Sequence, residues 1–98
     1  MELTGKQKRH LRGLGHGLKP IVSVGKQGLT KTVIEQVDAC LTVHELIKVK
    51  LLEGGPAARG EAAQQLTQRT GSALAQSLGR TLLLYRPHPE KPGIELPG

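Results

Sequence analysis

Aromatic residues are almost absent from this 98-residue chain, in which Tyr85 is the only one and Phe and Trp do not occur. Flat platforms that stack unpaired bases, like those of RRM sheets and OB-folds, are built from several aromatic side chains. The sequence therefore excludes such a platform, and Tyr85 is interpreted as a strand residue with a packed ring. A nucleic-acid partner would have to be recognised mainly through its phosphates and its shape.

Cysteine and long apolar runs are also scarce. Cys40 is the only cysteine, so no disulfide can form within the chain, which agrees with a reducing compartment. No run approaches the ~20 apolar residues of a membrane-spanning helix, and no apolar signal segment follows the N-terminus. We therefore expect a cytoplasmic protein with no membrane partner, and we expect Cys40 to be buried.

Residue patterns typical of enzymes are missing too. Cys40 and His44 have i, i+4 spacing, but no further Cys or His completes a metal site. Gln27 stands where the phosphate-binding loop of a nucleotide hydrolase has Ser or Thr, and the glycines of Gly13–Gly17 follow a predicted helix instead of a strand. No Ser or Cys has a base and an acid in a recognisable pattern. The sequence predicts no catalytic residue, metal, cofactor or small-molecule substrate.

What the chain has instead is positive charge. It carries 14 Lys and Arg against 8 Asp and Glu, for a formal net charge of +6. Residues 1–31 hold seven of the basic residues and a single acid, Glu2, so the excess belongs to the N-terminal third. Leu, Ile and Val residues are interleaved with these charges, which indicates a folded surface. Such a patch is typical of nucleic-acid-binding proteins.

A G-x-x-G loop lies within this basic third. Gly25-Lys26-Gln27-Gly28 joins the apolar run Ile21–Val24 to an amphipathic segment that begins near Lys31. Glycine lets a backbone turn tightly and approach a ligand, and the unpaired N–H groups at a helix N-terminus attract an anion. Lys26 and Lys31 add full charges. We interpret the loop as a phosphate cradle, although the same pattern also occurs as a plain strand-to-helix connection.

Hydrophobic spacing divides the chain into helices and strands. The pattern predicts helices over residues 6–14, 32–42 and 57–70 and strands over residues 21–24, 45–52, 73–78 and 81–86. Capping-box patterns at Thr4–Gln7 and Thr32–Glu35 mark the first two helix starts. Leu11 and Leu14 are expected to face inward, and the first strand is expected to be buried.

The order helix–strand–helix–strand–helix–strand–strand requires crossovers through helices and one terminal hairpin. We therefore predict a single α/β domain with a mixed four-stranded sheet over residues 1–88. The second strand should have one buried face and one polar face, with Lys48 and Lys50 on the latter. Four prolines at residues 87–97 predict an extended, mobile tail over residues 89–98.

Six short blocks of the sequence form a specific set when they are taken in order. They are Lys6-Gln7, Leu11-Arg12-x-Leu14, His16-x-Leu18-Lys19-Pro20, Val24-Gly25-x-x-Gly28-Leu29-Thr30, His44-Glu45-Leu46-Ile47-Lys48-Val49-Lys50 and Gly79-Arg80-Thr81-Leu82-x-Leu84-Tyr85-Arg86-Pro87. Together these blocks resemble the YhbY or CRM-domain proteins. The resemblance implies an RNA-binding domain with the fold of the C-terminal domain of translation initiation factor three. It also implies that the G-x-x-G loop contacts RNA. Bacterial stand-alone members of the family associate with precursors of the large ribosomal subunit, which implies the same partner here.

The charge pattern and the resemblance together give a set of expected RNA contacts. These are Lys6, Lys8, Arg9, Arg12, His16, Lys19, Gly25, Lys26, Gln27, Gly28 and Lys31. Further candidates are Lys48, Lys50, Arg80 and Arg86, although a solvated sheet face explains the first two equally well. We expect a monomeric, non-catalytic RNA-binding protein that acts in ribosome assembly. The alternative is a protein-interaction adaptor whose basic face binds an acidic partner.

Overall fold

Helices and strands alternate along the chain as the sequence predicts. In the computed structural model, which describes residues 1–98 except the side chain of Pro56, the elements are α1 (Gly5–Gly15), β1 (Pro20–Val24), α2 (Lys31–His44), β2 (Leu46–Leu51), α3 (Pro56–Thr70), β3 (Ala73–Leu78) and β4 (Thr81–Tyr85). The predicted α/β class, element order and mixed four-stranded sheet are confirmed. Every predicted end lies within two residues of the observed one.

The sheet has the strand order β1-β2-β4-β3. β1 and β2 are parallel because α2 carries the chain back across the sheet, whereas β4 is antiparallel to both β2 and β3. Gly79 and Arg80 close the β3–β4 hairpin as a two-residue turn. The register pairs Val24 with Leu51 and Lys50 with Thr81. The ends of β1 and β2 therefore lie at the same sheet edge as the β3–β4 turn.

One face of the sheet packs against α2 and α3 and forms the larger core. Alternate strand residues and buried side chains from both helices meet there. The buried members are Val22, Val24, Val37, Leu41, Ile47, Val49, Leu51, Ala63, Leu66, Leu82 and Leu84. Cys40 packs at the margin of this core and is half-buried, where the sequence analysis expected full burial.

The opposite face is covered in part by α1 and by the C-terminal segment. Its buried cluster consists of Leu11, Leu46, Ala75, Leu83 and Tyr85, against which Leu3, Ile94 and Leu96 pack. β4 is therefore enclosed on both faces, which explains its continuous apolar run Leu82–Tyr85. Tyr85 is a packed strand residue, as the sequence analysis expected.

α1 approaches the sheet closely at Gly15. A Cβ built on Gly15 would lie 2.9 Å from both Cδ atoms of Leu83, so a larger residue would force the Leu83 side chain to move. Leu11 and Gly15, spaced i, i+4, are the buried residues of α1. The prediction that Leu14 faces inward is wrong, because this narrow stripe leaves the Leu14 side chain 47% exposed.

β1 is buried on one face only, which corrects the expectation of a buried strand. Val22 and Val24 point into the larger core, whereas Ile21 is 45% exposed on the other side. The reason is the position of α1, whose contacts with the sheet lie over β2, β3 and β4. β1 packs closely against β2 and α2, whereas α1 lies mainly over the other three strands.

Residues 89–98, expected as a mobile tail, lie against the domain. The Glu45 carboxylate accepts hydrogen bonds at 2.9–3.0 Å from the backbone N–H groups of His88, Gly93 and Ile94. Burial raises the pKa of Glu45, but these hydrogen bonds and the nearby His88 ring lower it by more, so the pKa lies below its usual value. The segment bends at Pro89, Glu90 and Ile94, where an extended tail was expected, and the buried Glu45 carboxylate anchors it.

Candidate nucleic-acid interface

The G-x-x-G loop is a tight turn at the carboxyl end of β1. The Gly28 N–H donates to the Gly25 carbonyl at 3.0 Å, and the Thr30 N–H donates to the Gly28 carbonyl at 3.0 Å. Lys26 and Gln27 form the exposed tip. Among the described residues, their N–H groups make no hydrogen bond to a backbone carbonyl. The tip therefore presents two amide donors and one ammonium group to solvent.

The two glycines of the loop have different structural settings. Gly28 has a φ of +71°, which a side chain would strain, so the turn itself requires this glycine. Gly25 has an ordinary φ, and a Cβ built on it meets no atom within 4 Å among the described residues. Packing inside the protein therefore does not explain Gly25. The space beside its Cα is open to a ligand that approaches the backbone.

Thr30 connects the loop to α2 and caps the helix. Its extended backbone lets Thr30 Oγ1 accept a hydrogen bond from the Val33 N–H at 3.2 Å. The capping box predicted at Thr32–Glu35 is wrong, because the helix already begins at Lys31. The N–H groups of Lys31 and Thr32 are left without a partner inside the helix, next to the loop.

The positive charges around the loop are only partly balanced by neighbouring acidic residues. The Nζ of Lys31 lies 4.0 Å from the Glu35 carboxylate, and both side chains are largely exposed, so this pair is weak. A concavity of about 290 Å³ lies beside the loop, and its far wall includes Glu53, Gly54 and Ala58. The acidic Glu53 limits anion binding on that wall and leaves the Lys26 side as the favourable approach.

α1 presents a second set of cations. The predicted capping box at its start is confirmed: Thr4 Oγ1 accepts from the Gln7 N–H at 3.1 Å, and Gln7 Oε1 accepts from the Thr4 N–H at 3.0 Å. The cap satisfies backbone N–H groups at the start of α1, and Leu11 packs on the sheet further along the helix. The exposed basic residues of the helix are Lys6, Lys8, Arg9 and Arg12.

The loop from α1 to β1 carries exposed His16 and Lys19. Lys48 supports this loop, because its Nζ donates to the Leu18 carbonyl at 3.0 Å. Lys48 is accordingly half-buried, whereas Lys50, two residues further along β2, is exposed. The two lysines that the sequence analysis treated alike therefore differ: Lys48 has a structural partner and Lys50 faces solvent.

The exposed basic residues of the N-terminal third lie on both sides of β1 along the chain. His16 and Lys19 precede β1 and the G-x-x-G loop follows it, and a strand of five residues spans about 16 Å. We define the basic surface as six exposed residues before β1 that the sequence analysis proposed as RNA contacts, namely Lys6, Lys8, Arg9, Arg12, His16 and Lys19. The G-x-x-G loop lies beyond its far end, so one ligand that touches both must be extended.

Arg80 lies in the β3–β4 turn, at the same sheet edge as the G-x-x-G loop. Its Nη1 donates to the Leu52 carbonyl at 2.9 Å, which holds the side chain beside the end of β2. The residue is nevertheless exposed. Its remaining N–H groups are placed to contact a ligand at this edge.

Arg86 has a structural role instead of the predicted RNA contact. Its two terminal nitrogens make four hydrogen bonds of 2.6–2.9 Å, to the Asp38 carboxylate, the Asp38 carbonyl, the Thr42 hydroxyl and the Thr70 carbonyl. The side chain is only 19% exposed. Arg86 therefore ties the end of β4 to α2 and α3, and the candidate contact there is withdrawn.

Two polar residues were overlooked in the sequence analysis. Gln76 on β3 and Thr81 on β4 are half-buried on the sheet face beside α1. Thr81 alternates with the buried Leu82, which is the signal that places it on the outer side of β4. Gln76 lies on the same face as Ala75 because the strand register shifts between Leu74 and Gln76, so simple alternation does not reveal it.

The described residues contain neither a metal-binding cluster nor a membrane-spanning helix. No group of three or more His, Cys, Asp or Glu side chains there could hold a metal ion. No helix in that part of the chain is both long and apolar enough to cross a membrane.

Comparisons with known proteins agree with this architecture. The CRS1 / YhbY (CRM) domain matches residues 3–86. The chain is 42% identical over 95 residues to a Bacillus subtilis protein named probable RNA-binding protein YqeI, covering 97% of this chain and 99% of the relative. It is 39% identical over 95 residues to a Haemophilus influenzae protein named RNA-binding protein, covering 97% and 95%. The solution structure of the hypothetical protein SAV1595 from Staphylococcus aureus matches with a TM-score of 0.86 at 43% identity, covering 98% and 100%. The chain therefore belongs to the CRS1/YhbY (CRM) domain family.

Proposed function

We propose that this protein binds the phosphate backbone of a folded RNA and catalyses no reaction. Relatives that match almost the full chain are named as RNA-binding proteins, which supports an RNA partner. The contacts are made by the G-x-x-G loop, by the basic surface and by Arg80. Cations on an extended surface, with very little aromatic area, suit a duplex or a compact RNA better than splayed bases.

The observation that carries this proposal is the setting of Gly25 and Lys26. A Cβ on Gly25 would meet no protein atom within 4 Å, so the backbone of the loop is open to a ligand that comes close to it. Lys26 is exposed beside it, and the N-terminus of α2 follows. A phosphate at this position meets amide N–H groups, the positive end of a helix and an ammonium group together.

We further propose that the RNA is ribosomal RNA in precursors of the large subunit, on which a cytoplasmic monomer acts as an assembly factor. The support is the resemblance to bacterial stand-alone CRM-domain proteins, which associate with such precursors. Folded ribosomal RNA also offers the duplex and loop shapes that this surface suits.

The salt dependence of RNA binding tests the phosphate contact. We expect log K for a structured fragment of large-subunit ribosomal RNA to fall with log salt at a slope of about −3 to −5, as for about four to six neutralised phosphates. Lys26→Glu should weaken binding about tenfold or more and reduce the slope by about one or two units. Lys91→Glu is the matched control and should change affinity less than about twofold, because Lys91 lies outside the proposed contacts. Fluorescence anisotropy from about 50 to about 300 mM salt measures all three proteins, with circular dichroism as the check on folding.

Three results would count against the proposal. A flat salt response, or no binding at the lowest salt, would remove the RNA contact. Equal losses for the two charge reversals would show that the loop is not special. Retention of an acidic protein partner after nuclease treatment, without RNA binding at low salt, would support the adaptor instead.

A further inference from the structure

The sheet face beside α1 is covered over only part of its length. α1 and the C-terminal segment bury the end that contains Leu46 and Tyr85. Towards the β3–β4 turn, two rows of cross-strand neighbours follow from the register: Ser23, Lys50, Thr81 and Leu78 in one row, and Pro20, Lys48, Leu83 and Gln76 in the next. We term these eight positions the open sheet face.

The open sheet face contains a concavity of about 160 Å³. Leu83 lies at its base, where α1 already covers most of this side chain, and Pro20 on β1 and Leu78 on β3 add apolar surface at its two margins. The other lining residues are polar, namely Lys48, Gln76 and Thr81. An engineered apolar cavity of about 150 Å³ holds a benzene molecule, so a single six-membered ring fits a space of this size. The fused rings of a purine need more room.

The polar lining can recognise the edge of such a ring. The Gln76 carboxamide carries donor and acceptor groups side by side, and the Thr81 hydroxyl adds another of each. A carboxamide pairs through two hydrogen bonds with a base edge that has an adjacent donor and acceptor, as Gln does with adenine. Pyrimidine bases present such an edge. An apolar base with a few convergent polar groups is also the usual composition of small-ligand sites.

The charge around the concavity favours a polyanion. The four strands contain two lysines, Lys48 and Lys50, and no Asp or Glu. Lys48 already donates to the Leu18 carbonyl, whereas Lys50 is exposed one row away. Arg80 lies in the turn directly after Leu78 and Gly79. A ring attached to phosphates therefore matches both the apolar base and the charged border.

We propose that the open sheet face is a second RNA contact, at which the cavity takes one unpaired pyrimidine base and Lys50 and Arg80 hold the adjoining phosphates. The inference rests on the proposed function and extends it from phosphate contact to recognition of a base. No aromatic platform is needed, because the ring packs against the exposed Leu78 side chain and its edge pairs with Gln76, two residues earlier on the same strand. Pro20 and Gly25 lie about 16 Å apart along β1, so an extended RNA reaches both sites.

Three RNAs with one duplex in common test the inference: a blunt duplex, the duplex with an overhang of about five uridines, and the duplex with an overhang of about five adenosines. Anisotropy should show about five- to tenfold tighter binding with the uridine overhang than with the blunt end, and little gain from adenosine. Gln76→Leu keeps the side-chain size but removes both hydrogen-bonding groups, so it should abolish the gain and leave blunt-duplex affinity unchanged. Gln68→Leu, at an exposed position on α3, is the matched control and should keep the gain. In NMR spectra, the Gln76 side-chain amide signals should shift with the uridine overhang only.

The outcomes distinguish failure of this inference from failure of the proposed function. Blunt-duplex binding without any gain from uridine overturns the inference and leaves the proposed function standing. No binding of any of the three RNAs at low salt overturns both. An equal gain from adenosine, or a gain that Gln76→Leu retains, also overturns the assignment of a pyrimidine to this cavity. Binding of a polyglutamate peptide that Lys50→Glu abolishes, with no uridine gain, would make the occupant an acidic protein.

Discussion

Gly25 and Gly28 show that two residues of the same type, three positions apart, can be present for different physical reasons. The φ of +71° at Gly28 is a requirement of the turn and would exist in a protein that binds nothing. Gly25 has no such requirement, and the space beside it is empty of protein atoms among the described residues. The G-x-x-G pattern therefore contains one glycine for folding and one that we assign to ligand access.

Alanine substitutions should separate these two roles. Gly28→Ala should lower the free energy of unfolding by about 1 kcal/mol, because a Cβ is unfavourable at this φ. Gly25→Ala should change stability by less than about 0.5 kcal/mol and weaken RNA binding several-fold, because the methyl group occupies the approach to the backbone. Urea unfolding and RNA anisotropy of both variants measure the two effects. A Gly25→Ala protein that is destabilised yet binds RNA normally would reverse the assignment.

At the scale of helices and strands, the sequence predicted what depends on nearby residues. The Thr4–Gln7 capping box and the β3–β4 hairpin both follow from local patterns, and the structure has each of them. The burial of α1 does not follow in this way, because it depends on the contact of Gly15 with Leu83 on a distant strand. The position of residues 89–98 depends on Glu45, more than forty residues earlier. Such contacts carry no periodic signal.

The anchoring of the C-terminal segment by Glu45 makes a prediction about pH. The folded-state pKa of Glu45 is lowered, so its ionised form contributes stability above the ordinary value of 4.5, and this contribution is lost as pH falls through the folded-state pKa. Glu45→Gln should cost about 1–3 kcal/mol at neutral pH, because backbone donors lose a charged acceptor. Its unfolding free energy should also fall less steeply than that of the wild type below about pH 4.5. Urea unfolding between pH 7 and pH 3 measures both effects.

Glu95→Gln is the control for this pH experiment, because Glu95 is an exposed acid of the same segment. It should follow the wild-type pH curve. The titratable groups that face Glu45 are His88 and Tyr85. Burial raises the pKa of Tyr85, and the negative charge of Glu45 raises it further. Parallel curves for the wild type and Glu45→Gln would show that the carboxylate charge does not anchor the segment.

At the scale of the whole molecule, the distribution of charge and of covered surface defines the candidate site. The G-x-x-G loop and the exposed cations of α1 were predictable, because their residue types and spacing are visible in the sequence. The structural role of Arg86 was not predictable, because its four hydrogen bonds link the end of β4 to α2 and α3. The open sheet face was not predictable from the sequence either, because it exists only where α1 and the C-terminal segment stop covering the strands. Shape and coverage are properties of the assembled fold.

Crosslinking in cells, followed by sequencing of the bound RNA and sucrose-gradient sedimentation, tests the central claim most directly. The wild type should crosslink to large-subunit precursor RNA and sediment with those particles. Lys26→Glu should lose most of this signal, about tenfold, because a carboxylate replaces the ammonium at the phosphate site, whereas Lys91→Glu should keep it. Wild-type crosslinks confined to messenger RNA or to introns, or a Lys26→Glu protein that crosslinks as well as the wild type, would contradict the account.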